Sequence, residues 1–338
     1  MGFATEIAHI NPEQPDADIL NRGAEILRRG GLVAFPTETV YGLGANALDA
    51  DAVQGIYRAK GRPSNNPLIV HVTDVNAARN LVCEWPETAA RLAERFWPGP
   101  LTLVLPRADC IPDIVTGGGE TVGIRVPAHP IAQALLRAVG LPLAAPSANR
   151  SLMLSPTRAE HVVRDLDGRI AMILDGGPTR GGLESTVINL TTDPPSLLRP
   201  GLVSPSEIEA VIGRIQMASA QPASSGSAPL LSPGMLARHY APRAPLEILE
   251  KGAEHRVQEL LHQAVQVGWL TFSSPLPQTN LLVETMPSNA NAYASILFAT
   301  LHAMDLAGVG RIIVELPPDE EEWLAVRDRL RRAAVPAS

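Results

Sequence analysis

Short aliphatic runs that stop abruptly at proline, glycine or hydroxyl residues recur through the first ~215 residues of this chain. They lie at 31–35, 68–72, 101–105, 122–126, 143–145, 170–174 and 186–190, and each reads as a short buried strand. Helical patterns intervene at 131–139 and 157–166, and residues 19–27 carry an apolar helical face that ends at Gly30. Several runs follow one another with no helix between them, so the expected architecture is α/β with a twisted mixed sheet rather than a purely parallel one. Aromatic residues make up only 4% of the chain, so its core must be aliphatic. The 31 prolines belong mainly in loops and turns.

A length of 338 residues suggests two domains. The composition shifts after residue 215: residues 217–229 are small, polar and proline-bearing, which is linker chemistry. The stretch 231–242 then gathers Met235, Leu236, Arg238, His239 and Tyr240, side chains that need a surface to pack on. From residue 245 an α/β pattern restarts, with strands expected at 246–249, 269–272, 281–284 and 311–315 and a helix at 254–265. A further helix aligns Tyr293, Ile296, Leu297, Leu301 and Met304. The last one opens in the acids of 319–322 and closes with Arg327, Arg329, Arg331 and Arg332, a charge order that complements a helix dipole. The expected division is an α/β domain over 1–215, a linker and strap over 216–244, and a small Rossmann-like α/β domain over 245–338. No Gly-x-Gly-x-x-Gly occurs in that last part, so nothing there demands a dinucleotide.

With 35 acidic and 28 basic residues, the formal charge is −7. That disfavours an extended groove tracking a nucleic-acid backbone, while leaving room for one basic pocket. Cys83 and Cys110 are too few for a cysteine metal cluster or a disulfide framework, which suggests a reduced compartment. The first residues lack a signal-peptide pattern and no apolar run approaches the ~20 residues of a membrane span, so a soluble cytoplasmic protein is expected.

Three strand ends concentrate polar chemistry. The first is Pro36-Thr-Glu-Thr-Val-Tyr-Gly-Leu-Gly44. Pro36 should end its strand, Gly42 and Gly44 should free the backbone, and the loop is either an ordinary capped turn or a ligand loop. Next comes Tyr57-Arg-Ala-Lys-Gly-Arg-Pro-Ser-Asn-Asn-Pro67, a knot of Arg58, Lys60 and Arg62 ahead of the strand that carries His71. It is either a solvated helix end or an anion site, since Arg offers a planar fork and Lys a point charge. In Ala144-Ala-Pro-Ser-Ala-Asn-Arg-Ser151, continued to Ser155-Pro-Thr157, Ser147, Asn149 and Ser155 could donate to phosphate or ribose. Thr157 reads better as a helix cap, with Glu160 three residues on. Thr121 and Arg125 lie four apart on one strand face. Arg125, if buried, needs a carboxylate of protein or substrate. Ser185 opens a strand after a glycine-rich stretch, and Arg199-Pro-Gly201 closes one. No P-loop, nucleophile elbow or His-Glu-x-x-His is present. The inventory suits positioning and charge stabilisation of an anionic ligand.

Taken in order along the chain, these segments resemble the YrdC-type threonylcarbamoyl-AMP synthases in their long form with a C-terminal extension. The matching pieces are residues 36–44, Lys60-Gly-Arg-Pro63 with Asn66-Pro-Leu68 and His71, Pro146-Ser-Ala-Asn149, Ser155-Pro-Thr157, Ser185-Thr-Val187, Arg199-Pro-Gly201, Ser232-Pro-Gly-Met235 and His239-Tyr-Ala-Pro242. The last ~95 residues resemble the family only as a generic extension domain. The resemblance implies a nucleotidyltransferase that joins L-threonine, bicarbonate or CO2, and ATP into threonylcarbamoyl-AMP and pyrophosphate. A downstream threonylcarbamoyl transferase would then act at adenosine 37 of tRNA, without stable tRNA binding by this chain. Carried over by position, Thr39, His71, Arg125, the Ala145 backbone and Ser185 would hold threonine. Lys60 and Arg62 would be catalytic. Arg62, Asn66, Thr121, Ser147, Asn149, Ser155 and Arg199 would hold ATP, and Tyr240 would close over it. Mg2+ would arrive on the ATP phosphates with no protein ligand. One departure stands out: after Ser151 the family usually has Gly, and this chain has Leu152. Rival readings are carbamoyl-adenylate chemistry, which usually accompanies zinc-finger segments absent here, and a non-catalytic RNA-binding module.

Overall fold

The computed structural model describes residues 4–218, 232 and 238–334. They form two compact units. The first comprises residues 1–151 and 156–235, the second 152–155 and 236–338.

In the first unit the strands are β1 (Glu6–His9), β2 (Val33–Pro36), β3 (Tyr41–Asn46), β4 (Ile69–His71), β5 (Leu101–Pro106), β6 (Thr121–Arg125), β7 (Leu143–Ala144), β8 (Met172–Asp175), β9 (Thr186–Asn189), β10 (Ser196–Arg199) and β11 (Gln216–Met217). They join in the order β1-β8-β2-β3-β7-β4-β6-β5-β9-β10-β11, and parallel and antiparallel pairs mix as expected. The main helices are α1 (Ala17–Arg28), α2 (Ala50–Lys60), α3 (Val75–Arg79), α4 (Glu87–Phe96), α5 (Asp113–Thr116), α6 (Pro130–Val139), α7 (Ala159–Leu166) and α8 (Pro205–Ile212).

Strand alternation sorts the side chains onto two faces. Ala34, Val70, Leu103, Ile124, Ile173 and Ile188 point to a large aliphatic core that also takes in residues of α2, α4, α7 and α8. The intervening residues point the other way. Toward the β1 end that second face is covered by α1 and α6, which pack Leu20, Ala24, Ile131 and Leu135 on Val33, Phe35 and Leu174. Beyond β7 its apolar cluster shrinks to four buried residues, Ile69, Val104, Val187 and Leu198. The same parity puts Thr102, Thr121, Arg125 and His71 on this half of the face. The sheet therefore has a polar floor.

Local expectations needed correction at several places. Gly42 and Gly44 are not among the residues with positive φ. Gly44 serves close approach, since a Cβ there would lie 2.9 Å from the Phe35 ring, whereas one at Gly42 would meet Ala145 and Phe35 at ordinary contact distances of 3.5 and 3.6 Å. The helix expected to start at Thr157 starts at Ala159, with Arg158 at the N-cap and no side-chain cap bond. Thr157 instead offers its N–H to Nδ1 of His161 at 3.3 Å.

The second unit carries β12 (Leu246–Leu249), β13 (Val267–Thr271), β14 (Leu281–Thr285) and β15 (Arg311–Glu315), all parallel in the order β12-β15-β13-β14. Helix α9 (Ala253–His262) packs Val257 and Leu260 against Trp269 and Ile313. Helix α10 (Ala290–Leu306) buries Tyr293, Leu297, Leu301 and Met304, leaving Ile296 half-buried. The acids at 319–322 precede α11 (Leu324–Ala333), whose first turn holds none. Arg327 and Arg329 are buried rather than solvated at a helix end. Arg327 donates to the Pro317 carbonyl and pairs with Asp319 at 3.1 Å. Arg329 lies over the Tyr240 ring at 5.0 Å. The strap expected over 216–244 falls largely outside the described residues.

Glycine spacing yields a paired prediction. A Cβ on Gly201 would sit 2.3 Å from the Thr186 nitrogen and 2.6 Å from the Ser185 carbonyl carbon, backbone that cannot swing aside. Gly201→Ala should therefore lose about 1–3 kcal/mol in urea unfolding. Gly55→Ala, mid-helix and only in ordinary contact with Leu32 at 3.5 Å, should be neutral or gain up to about 1 kcal/mol.

Candidate functional site

The β4–β6 register divides the polar floor into two ends. Ile69 pairs with Gly123, and His71 with Arg125. Four residues along β6 separate Thr121 from Arg125, roughly 13 Å at strand rise.

At the first end, β7 runs into residues 145–149. The Ala145 N–H donates to the Ile69 carbonyl at 2.9 Å, and Ser147 bridges Gly42. Helix α2 stops at Gly61, held in the left-handed region at φ 62°, and delivers Lys60 and Arg62 here. The cationic knot splits: Arg58 is exposed, whereas Lys60 and Arg62 are buried. The Lys60 ammonium donates to the carbonyls of Ser147 and Asn149. Burial, then repulsion by Arg62, pulls its pKa well below the usual lysine range. Arg62 donates through Nε to the Asn66 carbonyl at 3.1 Å. Its Nη2 reaches Asn66 Oδ1 at 2.6 Å and the Pro67 carbonyl at 2.8 Å. Asn66 is fully buried, and its Nδ2 has no partner. Pro67 lies two residues before Ile69, as Thr121 does before Gly123, so Arg62 and Thr121 share this end.

The other end gathers His71, Arg125 and Ser185. Arg125 is buried, donating through Nε to the Gly99 carbonyl at 3.1 Å and through Nη2 to Glu38 Oε1 at 2.6 Å. The carboxylate expected for Arg125 is thus Glu38 of the 36–44 loop. This loop is a hairpin tip between β2 and β3, stapled by Thr37, whose hydroxyl lies 2.7 Å from that of Thr39 and donates to the Val40 carbonyl. The tip is also tied to the glycine-rich segment: the Gly181 and Gly182 N–H groups donate to the carbonyls of Glu38 and Thr39. Ser185 Oγ lies 2.8 Å from Thr102 Oγ1 and accepts from Arg199 Nη2 at 3.1 Å. Leu103 pairs with Ile124, so antiparallel register puts Thr102 beside Arg125.

His71 is buried, edge-on to the Phe35 ring at 6.5 Å, with Nδ1 unpartnered. Burial, reinforced by the Arg125 charge, lowers its pKa to about 3, so the imidazole is neutral at physiological pH.

The first unit therefore brings together Thr39, His71, Arg125, Ser185 and Arg199 at one end, and Lys60, Arg62, Asn66, Thr121, Ser147 and Asn149 at the other, with Ala145 between. Ser155 and Tyr240 belong to the second unit. There the Ala241 N–H donates to the Leu152 carbonyl at 2.9 Å, and the Ser155 carbonyl meets His302 Nε2 at 3.2 Å. Tyr240 packs between His239 and Phe298. Leu152 takes φ 70°, a left-handed conformation that suits the glycine it replaces and strains a leucine.

Sequence reasoning passed over Glu38 and Thr102. Thr102 interrupts an aliphatic strand on an inward position, and that was its available signal. Glu38 stood inside the quoted motif, with only Arg125's need for a carboxylate to mark it. Among the described residues no cluster of three or more His, Cys, Asp or Glu could hold a metal, and no helix is long and apolar enough to cross a membrane. Cys83 and Cys110 are free thiols.

Comparison with known proteins agrees in both units. Residues 25–201 match the Sua5_yciO_yrdC family, described as "Telomere recombination". Residues 203–335 match the family described as "Threonylcarbamoyl-AMP synthase, C-terminal domain". The threonylcarbamoyl-AMP synthase of Bacillus subtilis is 49% identical over 93% of this chain and 92% of its own length. That of Pyrococcus abyssi is 46% identical over 92% of each. The crystal structure of P. abyssi Sua5 complexed with L-threonine superposes with a TM-score of 0.90 at 44% identity, covering 98% of both chains.

The buried imidazole sets a pH dependence. Its folded pKa of about 3 lies below the ordinary 6.5, so between those values the unfolded chain binds the extra proton. The stability is complete above pH 6.5 and falls as pH drops toward 3. Between pH 7 and 5 the wild type should lose about 2 kcal/mol more than His71→Gln in denaturant unfolding.

Proposed function

Since this chain belongs to the Sua5/YciO/YrdC family and carries the threonylcarbamoyl-AMP synthase C-terminal domain, we propose that it makes threonylcarbamoyl-AMP from L-threonine, bicarbonate or CO2, and ATP, as the first step toward N6-threonylcarbamoyladenosine at tRNA position 37. The observation that carries this reading is the set of four buried cations, Lys60, Arg62, Arg125 and Arg199, around a floor whose His71 and Asn66 keep unpartnered polar atoms.

The chemistry is an adenylyl transfer. The carboxylate of N-carboxythreonine attacks the α-phosphorus of ATP, an oxygen–phosphorus bond forms, and pyrophosphate leaves with the electrons of the broken bond. No activated protein nucleophile is needed, so the chain's task is to align two anions and stabilise the charge that develops on the leaving group. We assign threonine to the His71–Arg125–Ser185 end, with Thr39 close by and the Ala145 backbone flanking. At neutral pH an uncharged His71 can accept or donate a single hydrogen bond without adding charge. The triphosphate is assigned to the Arg62–Asn66–Thr121 end, with Ser147 and Asn149 on a loop that Lys60 fixes through its carbonyls. Arg199, whose guanidinium donates to Ser185, is assigned to ATP.

Mg2+ is assigned to the nucleotide rather than to a protein cage, because the groups at this end are cations, amides and hydroxyls. When bound it would neutralise phosphate charge, with phosphate and water oxygens as its ligands. A separate transferase would take the product to tRNA, which fits a net charge of −7, and the cytoplasm is the assigned location.

The decisive measurement is pyrophosphate release from ATP with threonine and bicarbonate supplied together or singly. Release only with both supports the reading; tight tRNA binding without turnover would favour the non-catalytic rival. In the same assay, Arg62→Ala should lower turnover by roughly 100-fold or more while the protein stays folded, the scale of losing one charge-stabilising donor. Unchanged turnover would remove Arg62 from the site.

A further inference from the structure

Glu38 is spent entirely on protein groups. Its Oε1 accepts from Arg125 Nη2 at 2.6 Å, its Oε2 accepts from the Ala128 N–H at 3.0 Å, and its own carbonyl accepts from the Gly181 N–H at 2.8 Å. The carboxylate is 16% exposed and the guanidinium 4%, so the pair sits where solvent screens little. Arg125 has its Nε on Gly99 and one N–H of Nη2 on Glu38. Nη1 makes no hydrogen bond to a described residue. A buried guanidinium locked on one edge and open on the other is a preset fork, whose remaining N–H groups match a carboxylate.

We propose that Glu38 is the positioning residue of the threonine site, holding Arg125 so that Nη1 is presented to the threonine carboxylate and anchoring the hairpin tip that presents Thr39. The inference rests on the reading that Arg125 binds that carboxylate. A clamp of this kind adds little net stability, because two desolvated charges repay one another only in part. Its contribution is pre-organisation: without it the arginine side chain must be ordered when substrate binds. The neighbouring residue moves with it. Thr39 is held by its hydroxyl contact to Thr37 on the tip that Glu38 ties down, and its carbonyl accepts from Gly182 of the glycine-rich segment. The nucleotide end draws on other elements, α2 and the loop after β7, so the effect should fall on threonine alone.

The test is steady-state pyrophosphate release on the full-length protein, with threonine and ATP varied separately, alongside thermal melts and threonine titration by calorimetry. Glu38→Ala should raise the threonine KM roughly 10- to 100-fold, the scale of a misplaced binding group. The ATP KM should stay within about twofold, with a far smaller change in kcat. Glu38→Gln keeps an acceptor for Arg125 and should recover part of the loss; should Glu38→Ala fail to fold, the glutamine variant decides. Arg125→Ala is the control on the underlying reading. If it raises the threonine KM while folded Glu38 variants do not, the positioning role is overturned. If Arg125→Ala itself leaves threonine binding unchanged, the reading of Arg125 fails and this inference with it. Parallel losses for threonine and ATP in Glu38→Ala, with a lowered melting temperature, would reduce Glu38 to a general structural residue and overturn the proposal.

Discussion

Burying cations beside a sheet and stabilising them with oxygens that carry no charge is the constraint on which this molecule turns. Lys60 is held by the carbonyls of Ser147 and Asn149, Arg62 by oxygens of Asn66 and Pro67, and Arg199 by the carbonyl and hydroxyl of Ser185. Carbonyl dipoles make such burial tolerable without cancelling the charge. The result is a group of buried basic side chains in a protein whose overall charge is −7. On the proposed reading, phosphate oxygens would meet donors that the fold has already fixed in place.

Arg125 departs from that scheme. Its guanidinium contacts a carboxylate, that of Glu38. On the proposed assignment the ligand at that end would be an amino acid with a charge of each sign, for which a half-satisfied guanidinium is a better match than an uncompensated one. His71 follows the same economy. Its burial and the neighbouring cation keep it neutral, so it contributes direction rather than charge. The two ends of β6 thus offer different electrostatics about 13 Å apart along the strand.

The sheet makes this arrangement possible by being covered unevenly. Its first face is a continuous aliphatic core. On the second, α1 and α6 cover one part, and beyond β7 only four apolar residues remain, interleaved with the polar ones. Apolar burial stabilises the first face and the α1/α6 part of the second, and the rest of the second carries the polar groups. The parallel sheet of the other unit has its own core around Trp269, Val257 and Ile313, and it holds Tyr240 against Phe298 and Arg329.

Much of the architecture was legible in the chain itself. Aliphatic runs bounded by proline and glycine located most strands of both units, though not β1, nor β3, whose first residues were read as loop, and their succession without helices foretold a mixed sheet. Loop residues at strand ends marked where polar chemistry collects. That information is local: a strand's pattern depends on its own residues and on the need to bury one side. The same locality explains the misses. Thr157 looked like a cap because the motif around it fits one, but packing placed the helix start two residues later, at Ala159. Arg327 and Arg329 looked like helix-end charges, yet the fold buries both. Gly42 and Gly44 were expected to free the backbone, yet neither takes a positive φ, and of the two Gly44 alone sits where a Cβ would crowd a neighbour, the Phe35 ring. Only tertiary structure could decide that Glu38 meets Arg125 across 87 residues, that Thr102 meets Ser185 across 83, or that Lys60 turns inward while Arg58 does not. Composition and period fix which residues must be hidden or displayed. Which polar group finds which, in a space that water has left, depends on strand order and register, and those belong to the folded chain as a whole.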